Sequence, residues 1–233
     1  MARITRKELK TDKFALEVEH TVDFFGQHRP EIIRYGAAAV VVVLIVVAVY
    51  FYRQQARASR QEALAQALQV LEAPVGQGPN AAGISFATAQ ARDQEATKRF
   101  NDLAAKYSGN DEGAIARYTL ASLAADQGRM AEAEKGFKDV VESADKNYAS
   151  LAKLSLAQLY FASGRVAQGE ELLRPLMDHP TILVSKDEAT LALARGIGKT
   201  KPAEARKLVD PLRPSRNSAV SQAAIQLYSE IGQ

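Results

Sequence analysis

The chain has 233 residues, no cysteine and no tryptophan, and a formal net charge of +3. Absence of cysteine excludes disulfides, a thiolate zinc site, a thiol nucleophile and an N-terminal lipidated cysteine. The small excess of positive charge is spread through the chain, with no basic stripe interleaved with aromatics, no zinc-finger spacing and no RNP motif, so nucleic-acid binding has no support.

Residues 1–34 form a polar, charged tail. Its seven basic residues, Arg3, Arg6, Lys7, Lys10, Lys13, Arg29 and Arg34, face nearly as many carboxylates. Phe14, Val18, Val22 and Phe25 recur at helical spacing, with Thr11 or Asp12 as a cap and Gly26 as a stop. Two readings stand: an interfacial helix on the cytoplasmic leaflet or against a membrane partner, and a partly disordered tail. Pro30 separates this piece from the apolar run that begins at Tyr35.

Residues 35–52, YGAAAVVVVLIVVAVYFY, carry no charge and no strong polar group. At about 1.5 Å per residue such a run approaches the ~30 Å hydrocarbon core of a bilayer. Tyr35 at one edge and Tyr50, Phe51 and Tyr52 at the other hold interfacial positions, and Arg34 and Arg53 close the ends. Ala56-Arg57-Ala58 fits a signal-cleavage pattern, but the apolar run is longer than the ~7–15 residues of a signal peptide. The expectation is a retained single-pass anchor, with a cytoplasmic N-terminus and a C-terminal domain outside the cytoplasm. The whole-tail count of basic residues favours that orientation, although Arg53, Arg57 and Arg60 come directly after the span.

Residues 53–85 read as a connecting helix and loop. Strong helix formers over 53–73 carry an apolar stripe of Leu64, Ala67, Leu68 and Leu71, and this helix can continue directly from the anchor. PVGQGPNAAG, residues 74–83, is rich in turn formers.

From about Ser85 the chain repeats itself, and residues 86–233 are expected to form one repeat domain. LASLAADQGRMAEAEKGFKDVV, residues 120–141, aligns with residues 156–177 at a shift of 36. Leu120, Ala121 and Leu123 fall on Leu156, Ala157 and Leu159; Gly128-Arg129 on Gly164-Arg165; Ala131 on Ala167; Phe137 on Leu173. A further shift of 36 brings Ala203, Ala205, Leu208, Val209, Pro211 and Leu212 into register, and Ala96, Phe100 and Leu103 stand 37 before Ala133, Phe137 and Val140. Each unit is a helix, a glycine suited to a left-handed C-cap, and a second helix opening on small residues. Neither helix buries its apolar face alone, so units must stack. The pattern predicts helices near 88–107, 113–127, 130–143, 147–163, 166–178, 184–196, 202–212 and 217–231. The last is a capping helix, and Asp178-His179-Pro180 and Arg213-Pro214-Ser215 are the breaks between units.

These units resemble the tetratricopeptide repeat family. Ala121 and Ala157, Tyr160, Gly128 and Gly164, Ala133 and Gly169, and Phe137 and Leu173 occupy its signature positions. Arg117 and Lys153 replace its early aromatic, the period is nearer 36 than 34, and the last unit lacks the glycine turn. The resemblance implies an all-α chain: a single transmembrane helix followed by a tetratricopeptide-like α-solenoid. It also implies a protein-binding groove lined by the first helix of each unit, which falls on Tyr118, Ser122, Leu154, Gln158 and Phe161. The alternative is that Tyr118, Leu154 and Phe161 are core residues between helix pairs.

The chemistry of catalysis is missing. Asp23 stands three residues after His20 and Glu31 three after His28, each a single pair with no third ligand in view, and His179 lies in a turn before Pro180, so no metal site is expected. There is no P-loop, no G-x-G-x-x-G and no G-x-S-x-G. The adjacent pairs Glu170-Glu171 and Asp187-Glu188 point about 100° apart on a helix and read as solvated faces. Seven basic residues between Arg195 and Arg216 either meet headgroups or an acidic partner, or are ordinary surface charge. No enzyme, cofactor, small-molecule substrate or nucleic acid is expected. The layout of tail, anchor and repeat domain resembles the ancillary subunit family of the bacterial Sec translocon. That resemblance implies a protein-binding adaptor in a bacterial inner membrane, with its C-terminal domain in the periplasm, whose partners are translocon subunits or periplasmic chaperones. The other reading is a scaffold for cell division or for peptidoglycan and envelope assembly.

Overall fold

The computed structural model describes residues 29–76 and 83–231, with side chains from residue 33 onward. The tail pattern of Phe14, Val18, Val22 and Phe25, together with His20 and His28, lies outside the described residues. Backbone packing divides the chain into Met1–Ala58 and Ser59–Gln233.

The described part of the first unit is one helix. It belongs to α1 (Arg29–Leu71), which runs on into the second unit without a break. Pro30 stands in its first turn rather than before it. That position is tolerated because the first-turn amides lack an intrahelical acceptor in any case. Every large apolar side chain from Ile33 to Tyr52 is exposed. By length and composition this helix can cross a membrane.

The second unit is an array of helix pairs. After α1 come α2 (Ala89–Lys106), α3 (Asp111–Asp126), α4 (Met130–Ser143), α5 (Lys146–Ala162), α6 (Val166–Asp178), α7 (Lys186–Ile197) and α8 (Pro202–Val209). A 3₁₀ turn (Asp210–Leu212) and α9 (Ser218–Glu230) complete it. No strand forms among the described residues; Val75 and Phe86 make one isolated bridge. The fold is all-α, and the helices after α1 form a tetratricopeptide-like solenoid. Successive helices pack on each other, and first helices also meet across units, α3 on α5 and α5 on α7.

The helix boundaries are set by local chemistry. Thr88, Asp145, Ser185 and Asn217 each accept a backbone N–H from the first turn of α2, α5, α7 and α9. Gly128 and Gly164, at φ of 75° and 77°, end α3 and α5. There the Arg129 amide donates to the Ala124 carbonyl and the Arg165 amide to the Tyr160 carbonyl, both at 2.8 Å. A side chain at that φ would meet its own backbone, so glycine is needed at both turns. The last helix pair makes the turn differently. Gly198 is right-handed, and Pro202 starts α8.

Three apolar clusters run along the array. The first joins Ala67 and Val70 of α1 to Ala96, Phe100 and Leu103 of α2 and to Ala116 and Leu123. The second joins Ala121, Ala124, Phe137, Val140 and Leu156 with Tyr160. The third joins Leu154, Leu173, Leu193, Ile197, Val209 and Leu227, among others. Of the leucines marked by the repeat, Leu123 and Leu156 are buried, while Leu120 and Leu159 are half-buried. Arg117, at the family's aromatic position, is half-buried. It donates to the Ser108 carbonyl and pairs with Asp139 at 3.3 Å, an electrostatic filler where the family uses a ring.

Candidate functional site: the first-helix row and the clamps between units

The five residues that the repeat register placed on a groove have different environments. Gln158 on α5 is exposed, and Ser122 on α3 is half-buried, its hydroxyl donating to the Tyr118 carbonyl. Tyr118 is half-buried. Its ring lies 5.5 Å from that of Phe137, and its hydroxyl meets the Ser155 hydroxyl of the next unit at 2.8 Å. Tyr118 therefore ties α3 to α5 while keeping one edge at the surface. Leu154 does not line a surface. It is 5% exposed and packs in the third cluster, so the expectation for this residue is corrected. The physical reason is register: Leu154 lies on the α5 face turned to α6 and α7, where apolar area is withdrawn from water.

Phe161 is half-buried and serves as a wedge. A Cβ at Gly169 of α6 would lie 2.5 Å from its Cε1, and one at Gly196 of α7 would overlap its ring. Two glycines on two helices leave the space that one aromatic ring fills. Gly169 was visible as a small residue of the repeat; Gly196 was not.

The clamps between units were not foreseen. Glu134 of α4 accepts from Arg165, at the start of α6, at 2.7 Å and from Lys138 of its own helix at 2.7 Å. One period later Glu170 of α6 accepts from Lys201, at the start of α8, at 2.5 Å and from Arg174 at 2.6 Å. Glu134 and Glu170, Lys138 and Arg174, and Arg165 and Lys201 are each 36 apart, so the clamp is part of the repeat. The sequence signal was present: a glutamate whose partner cation lies 31 residues on. Arg165 also stacks 4.2 Å from the Tyr160 ring. The bonds from Arg165 and then Lys138 hold the Glu134 carboxyl down, from 4.5 to about 2. Lys201 does the same for Glu170, followed by Arg174.

At the boundary before these the clamp is missing. Thr97 of α2 stands where Glu134 stands in the following unit, and Arg129 bonds Gln127 and Glu132 within its own turn. That boundary is tied instead between first helices, by Arg60 of α1 to the buried Glu112 of α3 at 3.1 Å. No group of three or more metal-ligating side chains occurs among the described residues. His179 is exposed at the end of α6.

Comparison with known proteins agrees with this geometry. Two solved structures of kinesin light chain, nearly identical TPR-like repeats from Podosopora anserina, superimpose with TM-scores of 0.53 and 0.52 at 16% and 17% identity. Each match covers 73% of this chain and 84% of the other. At that identity the likeness is one of fold. No curated protein matches the sequence. Residues 30–180 match the tetratricopeptide repeat-like domain family, and the chain belongs to that family.

Proposed function

We propose that this protein is a membrane-tethered adaptor that holds protein segments against its repeat domain outside the cytoplasm. In this reading residues 1–34 are a cytoplasmic tail and residues 35–52 the transmembrane helix of a bacterial inner membrane protein. Residues 53–85 connect to a periplasmic repeat domain at 86–233. The observation that carries it is the pairing of a fully exposed apolar helix with a repeat scaffold. An uncovered apolar surface of that length requires a bilayer or a partner, and repeat arrays present extended surfaces to other proteins. Ser122 and Gln158 supply the accessible polar contacts of the groove, with Tyr118 and Phe161 as its half-buried walls. The layout of the chain points to subunits of the Sec translocon and periplasmic chaperones as partners.

A photo-crosslinker at Gln158, activated in native membranes, tests the partner. Adducts with translocon subunits or periplasmic chaperones are expected. Adducts confined to division or wall-synthesis proteins refute the translocon link. Protease added to spheroplasts tests the orientation: the domain beyond about residue 60 is digested and a tail epitope spared. The reverse pattern overturns the topology.

A further inference from the structure

The repeat changes sign at its last unit. One period beyond Glu134 and Glu170 stands Arg206 of α8, and one period beyond Lys138 and Arg174 stands Asp210. The carboxylate that reaches forward at the two preceding boundaries is thus replaced by a cation. No further helix pair comes after it; α9 packs against α7 and α8 instead. Between these helices opens a cavity of about 790 Å³, within the ~300–1,000 Å³ range of ligand pockets.

Its charged lining is Arg195, Lys199 and Arg206 against one carboxylate, Glu230. Among the described residues none of the three cations forms an ion pair. Arg206 lies over the Tyr228 ring at 5.6 Å, which holds its guanidinium without neutralising it. Leu227 and Ile231 form the apolar wall.

We propose that this cavity docks an acidic protein segment, an extended run of carboxylates interspersed with aliphatic side chains. The inverted clamp sets the sign. Where the preceding units offer a carboxylate to a cation, this end offers cations and lacks the carboxylate. The concavity sets the class. A flat bilayer surface does not enter a recess between helices, whereas an extended chain does, with its aliphatic groups against Leu227 and Ile231. This site is separate from the groove on α3 and α5 and does not depend on membrane orientation.

The test is a titration of the full-length protein in nonionic detergent with a fluorescein-labelled hexapeptide of alternating glutamate and leucine. A glutamine–leucine hexapeptide and empty micelles serve as controls. Anisotropy is expected to report binding of the acidic peptide alone, weakening as salt is added. The double variant Arg195→Gln, Lys199→Gln should bind about tenfold more weakly, the effect of losing two solvent-exposed pairs. Ala203→Glu, at an exposed position in the lining, puts a carboxylate among the cations and should weaken binding to a similar degree without touching the core. Gln94→Glu, at an exposed position on α2 outside both the cavity and the groove, should leave the titration unchanged. Equal binding of the glutamine peptide, or unaltered affinity in both cavity variants, overturns the proposal. So does a loss in Gln94→Glu matching that of the double variant. Displacement by short-chain phosphatidylglycerol at lower concentration than by unlabelled peptide also overturns it, and assigns the cations to lipid headgroups.

Discussion

Changing Gly196 to alanine should have opposite signs in two backgrounds. In the native protein a Cβ at Gly196 overlaps the Phe161 ring, which is also held against Gly169 and cannot retreat freely. Overpacking of this kind costs about 1–3 kcal/mol, more than the up to ~1 kcal/mol that alanine gains over glycine in a helix. Gly196→Ala alone should therefore destabilise the repeat domain by about 1 kcal/mol after the two effects offset. Phe161→Ala alone removes a half-buried ring and should cost about 2–4 kcal/mol, the lower part of the range for buried aromatics. With the ring gone, the alanine at 196 has room and keeps only its propensity gain. In the Phe161→Ala background Gly196→Ala should then stabilise by up to about 1 kcal/mol. The coupling across the cycle is about 2 kcal/mol, well above the ~0.5 kcal/mol error of additivity. Urea unfolding followed by circular dichroism at 222 nm on the four proteins measures it, with thermal midpoints expected to move about 2–4 °C per kcal/mol for a domain of this size. The same sign for Gly196→Ala in both backgrounds would refute the wedge.

The clamps, the turns and the core carry further expected outcomes. The Glu134 carboxyl is held down to about 2, chiefly by Arg165, so its contribution is full above 4.5 and is lost as pH falls towards 2. Arg165→Gln should therefore lower stability at neutral pH, converge with the native protein in strong acid, and shift the acid-unfolding midpoint upward. A difference independent of pH would exclude Glu134 as the partner. Gly164→Ala, at φ of 77°, should cost about 1–2 kcal/mol, whereas Gly198→Ala, in a right-handed conformation, should cost less; urea melts of the two variants compare them. Leu173→Ala, fully buried, should cost about 2–5 kcal/mol and Leu159→Ala, half-buried, clearly less. Equal midpoints would mean that the cluster assignment is wrong.

The helices after the anchor were legible because their signals are local. Gly128 and Gly164 stop their helices and apolar residues recur at 3.6 spacing, so predicted and observed ends of α2 to α7 differ by two residues at most. The 3₁₀ turn at Asp210–Leu212 was read as a continuation of α8. Pro211 ends the regular helix there, because it can donate no amide hydrogen to the previous turn. The groove was less legible. Leu154 and Gln158 lie one turn apart on α5, yet one is core and the other exposed. Which of two neighbouring stripes faces solvent depends on how α6 and α7 approach, and a single helix does not encode that. The clamps are written in the 36-residue pattern, but in charged positions rather than in the apolar and small residues that mark the helices. Charges at matched positions look like ordinary surface until the partner 31 residues away is placed beside them.

The sign change at Arg206 also bears on assembly. A repeat array joins by a heterologous contact, the kind that continues into a filament unless something stops it. If the last unit carried glutamate at this register, that carboxylate would be free to take a cation of another copy, as Glu134 takes Arg165 and Glu170 takes Lys201 within the chain. With Arg206 there, an approaching cation meets like charge. α9, packed against α7 and α8, also stands where a further helix pair would begin. The sign change thus works against end-to-end contact of copies through this clamp.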